Sequence, residues 1–301
     1  MNFAVETIRL RKRLMHDGFW AGWSKPLMST MRRNQRCVSG PLHAGGFTRV
    51  ELLVVMCSIA LLAAMLLLAL SATKRRAQET RCQSNVRQLT LASLINADAS
   101  GSYAAYGNSN IPNLFWMGSN YAKVGKILIC PATPTPSPVP PHDVWGAADR
   151  AWVWGDGKSP NDIVTNPVAG SYALNGWLYD TATFGGAAHP EYMMSKQSPI
   201  QKPSQTPVFV DAMWVDLWPL ETNLPSRDLY NGTMETGMTR CTIARHGGIA
   251  ANAPRNFDIN QRLPGSVTLG MADGHVELVK LENLWNYSWH LDWKPPAIRP
   301  R

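Results

Sequence analysis

His246, Asp273 and His275 are side chains of this 301-residue chain whose types could do chemistry together. An imidazole–carboxylate–imidazole set can bind zinc or move protons. Their setting argues for a plainer use. Asp273-Gly274 separates two β-rich runs, 266–271 and 275–279, and an Asp-Gly pair there signals a tight hairpin. Asp273 then bonds the turn backbone and Gly274 supplies a positive φ. Strand alternation puts His275 and Glu277 on one face. His246 is expected to pack or hydrogen-bond behind the hairpin. No P-loop, dinucleotide fingerprint, nucleophile elbow, HExxH or CxxC pair is present. The expectation is a protein that is not an enzyme, with no catalytic residue and no metal set assigned.

Other chemistry-bearing types are scattered. Asp211, Asp216 and Asp228 form no dense ladder of the kind a calcium loop needs. The tryptophans at 116, 145, 152, 154, 177, 214, 218, 285, 289 and 293 could line a sugar-stacking face. They could equally fill a loop-rich core, since an indole buries a large area with one polar end. Trp152 and Trp154 share a face if their segment is extended. Of five cysteines, Cys82, Cys130 and Cys241 fall in the body of the chain. In an oxidising compartment two of these can pair. Cys82 with Cys130 would tie the end of a long helix to the first part of the body; the alternative is three ordinary buried thiols.

One carboxylate stands apart. Glu51 sits at the mouth of Leu52–Leu70, 19 residues without a charge. A run of that length can span a bilayer as a helix, and a carboxylate beside it is costly unless it finds a partner. The +8 net charge is concentrated before this run. Residues 1–46 hold eight basic and two acidic residues, a balance of +6, leaving 21 basic and 19 acidic residues, or +2, for 47–301. A nucleic-acid partner is therefore not expected. Arginines and lysines flank the apolar run on both sides, so the positive-inside rule does not orient it.

These residues require an element to carry them. No glycine or proline falls between Phe47 and Ser100, and Val86, Leu89, Leu91, Leu94 and Ile95 suggest one buried face. One continuous helix from about 47 to 96 is expected, roughly 75 Å long. Beyond it, proline and glycine become dense, with PATPTPSPVPP at 131–141 reading as an exposed extended loop. Short strands are expected at 126–130, 171–174, 207–211, 266–271 and 275–279. The organisation read from the sequence is a leader over 1–46, a long helix over 47–98 that crosses the membrane over about 52–70, and a globular body over 99–301.

The run Gly46-Phe47-Thr48-Arg49-Val50-Glu51 and the apolar segment behind it resemble the processing site of type IV prepilins and type II secretion pseudopilins. The small-residue junction precedes the apolar core, the reverse of an ordinary secretory signal. Arg49 departs from the family pattern, which has an apolar residue there. Met28 and Met31 are alternative starts, and Met31 would give a shorter basic leader nearer the family's. The resemblance implies cleavage between Gly46 and Phe47 by a prepilin peptidase, and N-methylation of Phe47. It implies pairing of Glu51 with the terminal amine of a neighbouring subunit. A second resemblance joins His246 to Asp273-Gly274, a C-terminal His…Asp-Gly signature of pilin-like proteins. Here the two lie further apart than in the compact form, so residues 249–264 would loop out. Cys-Pro at 130–131, Ser-Tyr-Ala-Leu-Asn at 171–175 and Trp-His-Leu-Asp-Trp at 289–293 also fit.

The fold implied by the resemblance is α+β and pilin-like: a long N-terminal transmembrane helix packed on a small antiparallel β-sheet with extensive loops. The chain would be a structural subunit of a type II secretion or type IV pilus-like system. It would pass once through the cytoplasmic membrane, with its body outside, and partner other pilin or pseudopilin subunits. No cofactor is expected, with calcium left open because some pseudopilins bind it in a C-terminal loop. The competing readings are an anchored polysaccharide-binding protein and a tethered hydrolase using His246 and Asp273.

Overall fold

The computed structural model describes residues 47–100, 103, 125–136, 143–154, 168–180, 188–194 and 199–301. The expected leader with Gly46, Trp116 and the later part of the proline-dense segment lie outside them. The chain divides into two units, Met1–Met56 and Cys57–Arg301.

Helix α1 runs over Arg49–Ser100, close to the expected span. Its start is fixed by side chains. Thr48 Oγ1 accepts from Glu51 N at 3.2 Å, and Glu51 Oε2 accepts from Thr48 N at 2.8 Å and from Thr48 Oγ1 at 2.9 Å. This is a reciprocal capping box, two otherwise unpaired helix-end donors satisfied at once. The helix is long and apolar enough to cross a membrane, and its most apolar window is wholly exposed.

Later in α1 the solvation changes. Cys82, Val86 and Leu89 are buried, whereas Leu91 and Ile95 are exposed. The expected apolar face is thus correct at 86 and 89 and wrong at 91 and 95. The residues that complete it are polar or small: Asn85, Thr90, Ala92 and Ser93 are buried. Two of the polar ones lie against backbone, with Asn85 Nδ2 donating to Ile129 O at 3.0 Å and Ser93 Oγ donating to Tyr103 O at 3.1 Å.

The body carries seven short strands: β1 Trp152–Trp154, β2 Val168–Gly170, β3 Tyr172–Asn175, β4 Pro207–Asp211, β5 Asp216–Leu217, β6 Ser266–Met271 and β7 Val276–Lys280. β1 and β2 form a two-stranded antiparallel ribbon, and the remaining five form a sheet in the order β5-β3-β4-β6-β7. All pairings in that sheet are antiparallel except β3 with β5. The fold is α+β, with a mixed five-stranded sheet where a small antiparallel one was expected. The expected strand at 126–130 is instead a 3₁₀ turn over Gly125–Leu128. Pro131 follows directly and has no N–H to give a ladder, while the segment is held through Leu128 O, which accepts from Ser171 N at 2.8 Å.

Every residue of β3, β4 and β6 is buried, so both faces of the central sheet are covered. α1 covers one face, and Gly270 on β6 allows the approach. A Cβ there would overlap Thr90 Oγ1 and lie 2.8 Å from Val86 Cγ1. The β6–β7 hairpin turns at Asp273-Gly274 as its sequence requires, with Gly274 at φ 90°.

Candidate functional site

The expected His246–Asp273–His275 set does not converge. His246 bridges Ser266 at the beginning of β6, whereas Asp273 lies in the turn beyond Met271 at its end. Five residues of strand, about 16 Å at 3.3 Å each, separate the two ends. Asp273 Oδ1 instead accepts from His275 N at 3.1 Å, and His275 Nε2 lies 2.8 Å from Glu277 Oε1. The hairpin trio is a partly exposed surface network. A hydrolytic pair of His246 and Asp273 is overturned by this separation.

His246 faces a different group. Its Nε2 lies 3.3 Å from Cys82 Sγ, 3.6 Å from Cys130 Sγ and 3.2 Å from Asp211 Oδ2. Cys82 Sγ is 3.6 and 3.7 Å from the two Asp211 oxygens. All four residues are buried, and the four potential donor atoms lie within 4.8 Å of one another. Each comes from a separate segment. α1 supplies Cys82, the bend after the first 3₁₀ turn supplies Cys130, the end of β4 supplies Asp211, and the strand-like bridge to β6 supplies His246. Cys82 and Cys130, the pair singled out for a disulfide, lie in this group as free thiols beside an imidazole and a carboxylate.

A shell of polar groups holds these side chains in place. Arg245 is buried and donates to Asp211 Oδ1 at 3.0 Å, to Ala147 O at 2.9 Å, to Ala212 O at 3.0 Å and to Ser171 O. Thr268 N donates to Asp211 Oδ2 at 2.7 Å. Two hydroxyls address one sulfur: Tyr172 Oη lies 3.3 Å and Thr268 Oγ1 3.4 Å from Cys82 Sγ, each as donor.

The electrostatics follow from this shell. Burial opposes ionisation of Asp211, but His246, Arg245 and the Thr268 amide outweigh it and hold the carboxyl well below its ordinary value. Burial disfavours a charged His246, yet the Asp211 carboxylate lifts it to about 10. Burial, with Cys130 and the Asp211 charge, pushes the Cys82 thiol far up. Burial first, then the neighbouring Cys82, does the same to the Tyr172 phenol.

The other singled-out residues are dispersed. Asp216 pairs with buried Arg240 at 2.7 Å, and Asp228 Oδ1 caps a turn through the amides of Tyr230 and Asn231. With Asp211 in the buried cluster, the three aspartates serve three separate structural ends. Among the described tryptophans, Trp152, Trp177, Trp218, Trp285, Trp289 and Trp293 are buried, and Trp145 and Trp214 stack with centroids 4.2 Å apart.

Two features were missed from the sequence. The Thr48-x-x-Glu51 capping signature was legible there. Asp211 as partner of His246 was not, because nothing local marks these two positions, in separate segments of the chain, as neighbours. The chain matches no protein-family model, and no match is found among curated proteins or among solved structures.

Proposed function

We propose that this protein is a pilin-like structural subunit, processed after Gly46, anchored in the cytoplasmic membrane by the first part of α1, and assembled with other pilin or pseudopilin subunits. The observation that carries the reading is the change of solvation along one helix. From Phe47 to Leu67 every residue of the segment is exposed and nearly all are apolar, while Cys82, Val86 and Leu89 of the same helix are buried in the body. Burying a Val or Leu side chain is worth about 1.5–3 kcal/mol. An apolar run that forgoes this in water belongs in lipid or against copies of itself.

Glu51 fits an assembly role in a specific way. Its carboxylate already accepts two bonds from Thr48, so it can remain at the edge of an apolar environment without a second chain. An α-amine at Phe47, freed by cleavage, would compete with Thr48 for it, from within the chain or from a neighbour. Anchored polysaccharide binding draws less support, since six of the candidate stacking tryptophans are buried in the core.

N-terminal sequencing of the protein purified from membranes tests the reading. Phe47, N-methylated, is the expected first residue. A membrane protein that keeps residues 32–46 overturns it. Glu51→Ala is expected to insert normally and to lose co-purification with partner subunits.

A further inference from the structure

We propose that Cys82, Cys130, Asp211 and His246 form a structural zinc site that fastens α1 to the sheet. The inference stands apart from the pilin-like reading and would hold for any role of the body.

Two sulfurs, one imidazole nitrogen and one carboxylate oxygen form a donor set that suits zinc, an ion that favours four-coordinate tetrahedral sites with S, N and O ligands. The spacing can be compared with that of a zinc cage. Zinc lies about 2.3 Å from sulfur and about 2.0–2.1 Å from nitrogen or oxygen, so the edges of its tetrahedron are about 3.5 Å for sulfur to nitrogen or oxygen and about 3.3 Å for nitrogen to oxygen. The sulfur–nitrogen separations are 3.3 and 3.6 Å. Cys82 Sγ stands 3.7 Å from Asp211 Oδ2, and His246 Nε2 stands 3.2 Å from the same oxygen. These four of the six edges agree with a zinc tetrahedron, and the other two, from Cys130 Sγ to Cys82 Sγ and to Asp211, are within 4.8 Å.

The surroundings fit as well. Ligands of structural metals are held by outer hydrogen bonds. Asp211 is oriented by Arg245 and the Thr268 amide, and the Cys82 sulfur receives two hydroxyl donors, from Tyr172 and Thr268. The charges also balance: a divalent ion and the Arg245 guanidinium offset two thiolates and one carboxylate in a site closed to solvent. Four protein donors leave no open position, so the role is structural rather than catalytic. On binding, each thiol and the His246 imidazolium give up a proton, and zinc–sulfur and zinc–nitrogen bonds replace the S–H and Nε2–H bonds; no electrons are transferred.

The test uses the full-length chain in detergent, prepared under reducing, metal-replete conditions. About one zinc per chain is expected. Cobalt(II) loaded in its place should give the intense d–d absorption of a tetrahedral site with thiolate-to-cobalt charge transfer. Cys130→Ser and His246→Ala should each lower zinc occupancy at least tenfold, while Cys241→Ser, which alters a buried cysteine outside the cluster, should leave it unchanged. If the ligand variants fail to fold, the cobalt spectrum of the unaltered chain decides alone. An octahedral spectrum, or zinc well below one-tenth per chain, overturns the proposal. Thiol counting after denaturation with chelator separates the oxidised alternative: all cysteines reactive, five in the unprocessed chain or four once Cys37 is removed with residues 1–46, agrees with the site, whereas two fewer would mean a disulfide in its place.

Discussion

Arg245 and Asp211 form an ion pair 3.0 Å apart in which neither side chain has any solvent exposure. Arg245 adjoins His246, which pairs with Ser266, and Asp211 closes β4, so the pair links two parts of the body across the sheet. The guanidinium also ties the carbonyls of Ala147, Ala148, Ser171 and Ala212. Breaking a buried pair by removing one partner costs about 3–5 kcal/mol when the other charge is left alone; Asp211 keeps His246 and the Thr268 amide, which puts the expected loss at the lower end, about 3 kcal/mol. Arg245→Met is therefore expected to destabilise the body by that amount, read from the shift of the denaturation midpoint in detergent at constant m-value.

The close contact between helix and sheet gives a second prediction. Gly270→Val places a side chain where Thr90 Oγ1 and Val86 Cγ1 already stand. Overpacking of this kind costs about 1–3 kcal/mol. Thr90→Ala, which removes the nearest atom, should restore part of the loss. A double-mutant cycle measures the coupling, and strict additivity of the two changes would show that Gly270 does not set the approach of α1.

His290 should contribute a loss of stability on mild acidification, against Asp216 and His246, whose raised pKa values favour the folded state as pH falls. The His290 side chain is almost fully buried, packed flat on Tyr192 with centroids 4.1 Å apart and edge-on to Trp177 and Trp293. Burial holds its pKa below the ordinary 6.5, against the opposing pull of Glu221, 3.0 Å away, and of Asp292; His189 adds a like charge. In the unfolded chain His290 takes its proton near 6.5, while the folded chain takes it only at lower pH. Between those values the unfolded state binds more protons, so the His290 contribution is full above about 6.5 and declines as pH falls below it. The difference in urea midpoint between the unaltered chain and His290→Gln, measured from pH 7.5 to 5, should show this slope.

At the other end of the chain, Thr48→Val deletes the hydroxyl that both accepts from Glu51 N and donates to the Glu51 carboxylate. Loss of such a cap costs about 1 kcal/mol of helix stability. Faster amide exchange confined to the first turn of α1, measured in micelles, is the expected result, with the amides near Val86 unchanged.

Much of the fold could be read locally. The span of α1 follows from a run without glycine or proline, and the β6–β7 hairpin follows from Asp273-Gly274, whose φ of 90° only glycine adopts without strain. β4 and β6 followed from their β-branched and aromatic composition. Errors arose where local and tertiary signals conflict. Residues 126–130 are apolar enough for a strand but run into Pro131, and Leu91 and Ile95 match a helical stripe yet stand exposed.

What the sequence determined by itself is what depends on neighbours in the chain: an apolar segment that water cannot solvate well, a capped helix start and a turn that requires glycine. The tertiary structure alone decided which polar side chains meet. Cys82, Cys130, Asp211 and His246 carry no shared spacing, and they become neighbours only because α1 packs against β6 while β4 and the His246 bridge flank that strand. Periodicity records which face a residue occupies; only the pairing order of the strands and the docking of the helix bring distant donors within bonding distance of one point.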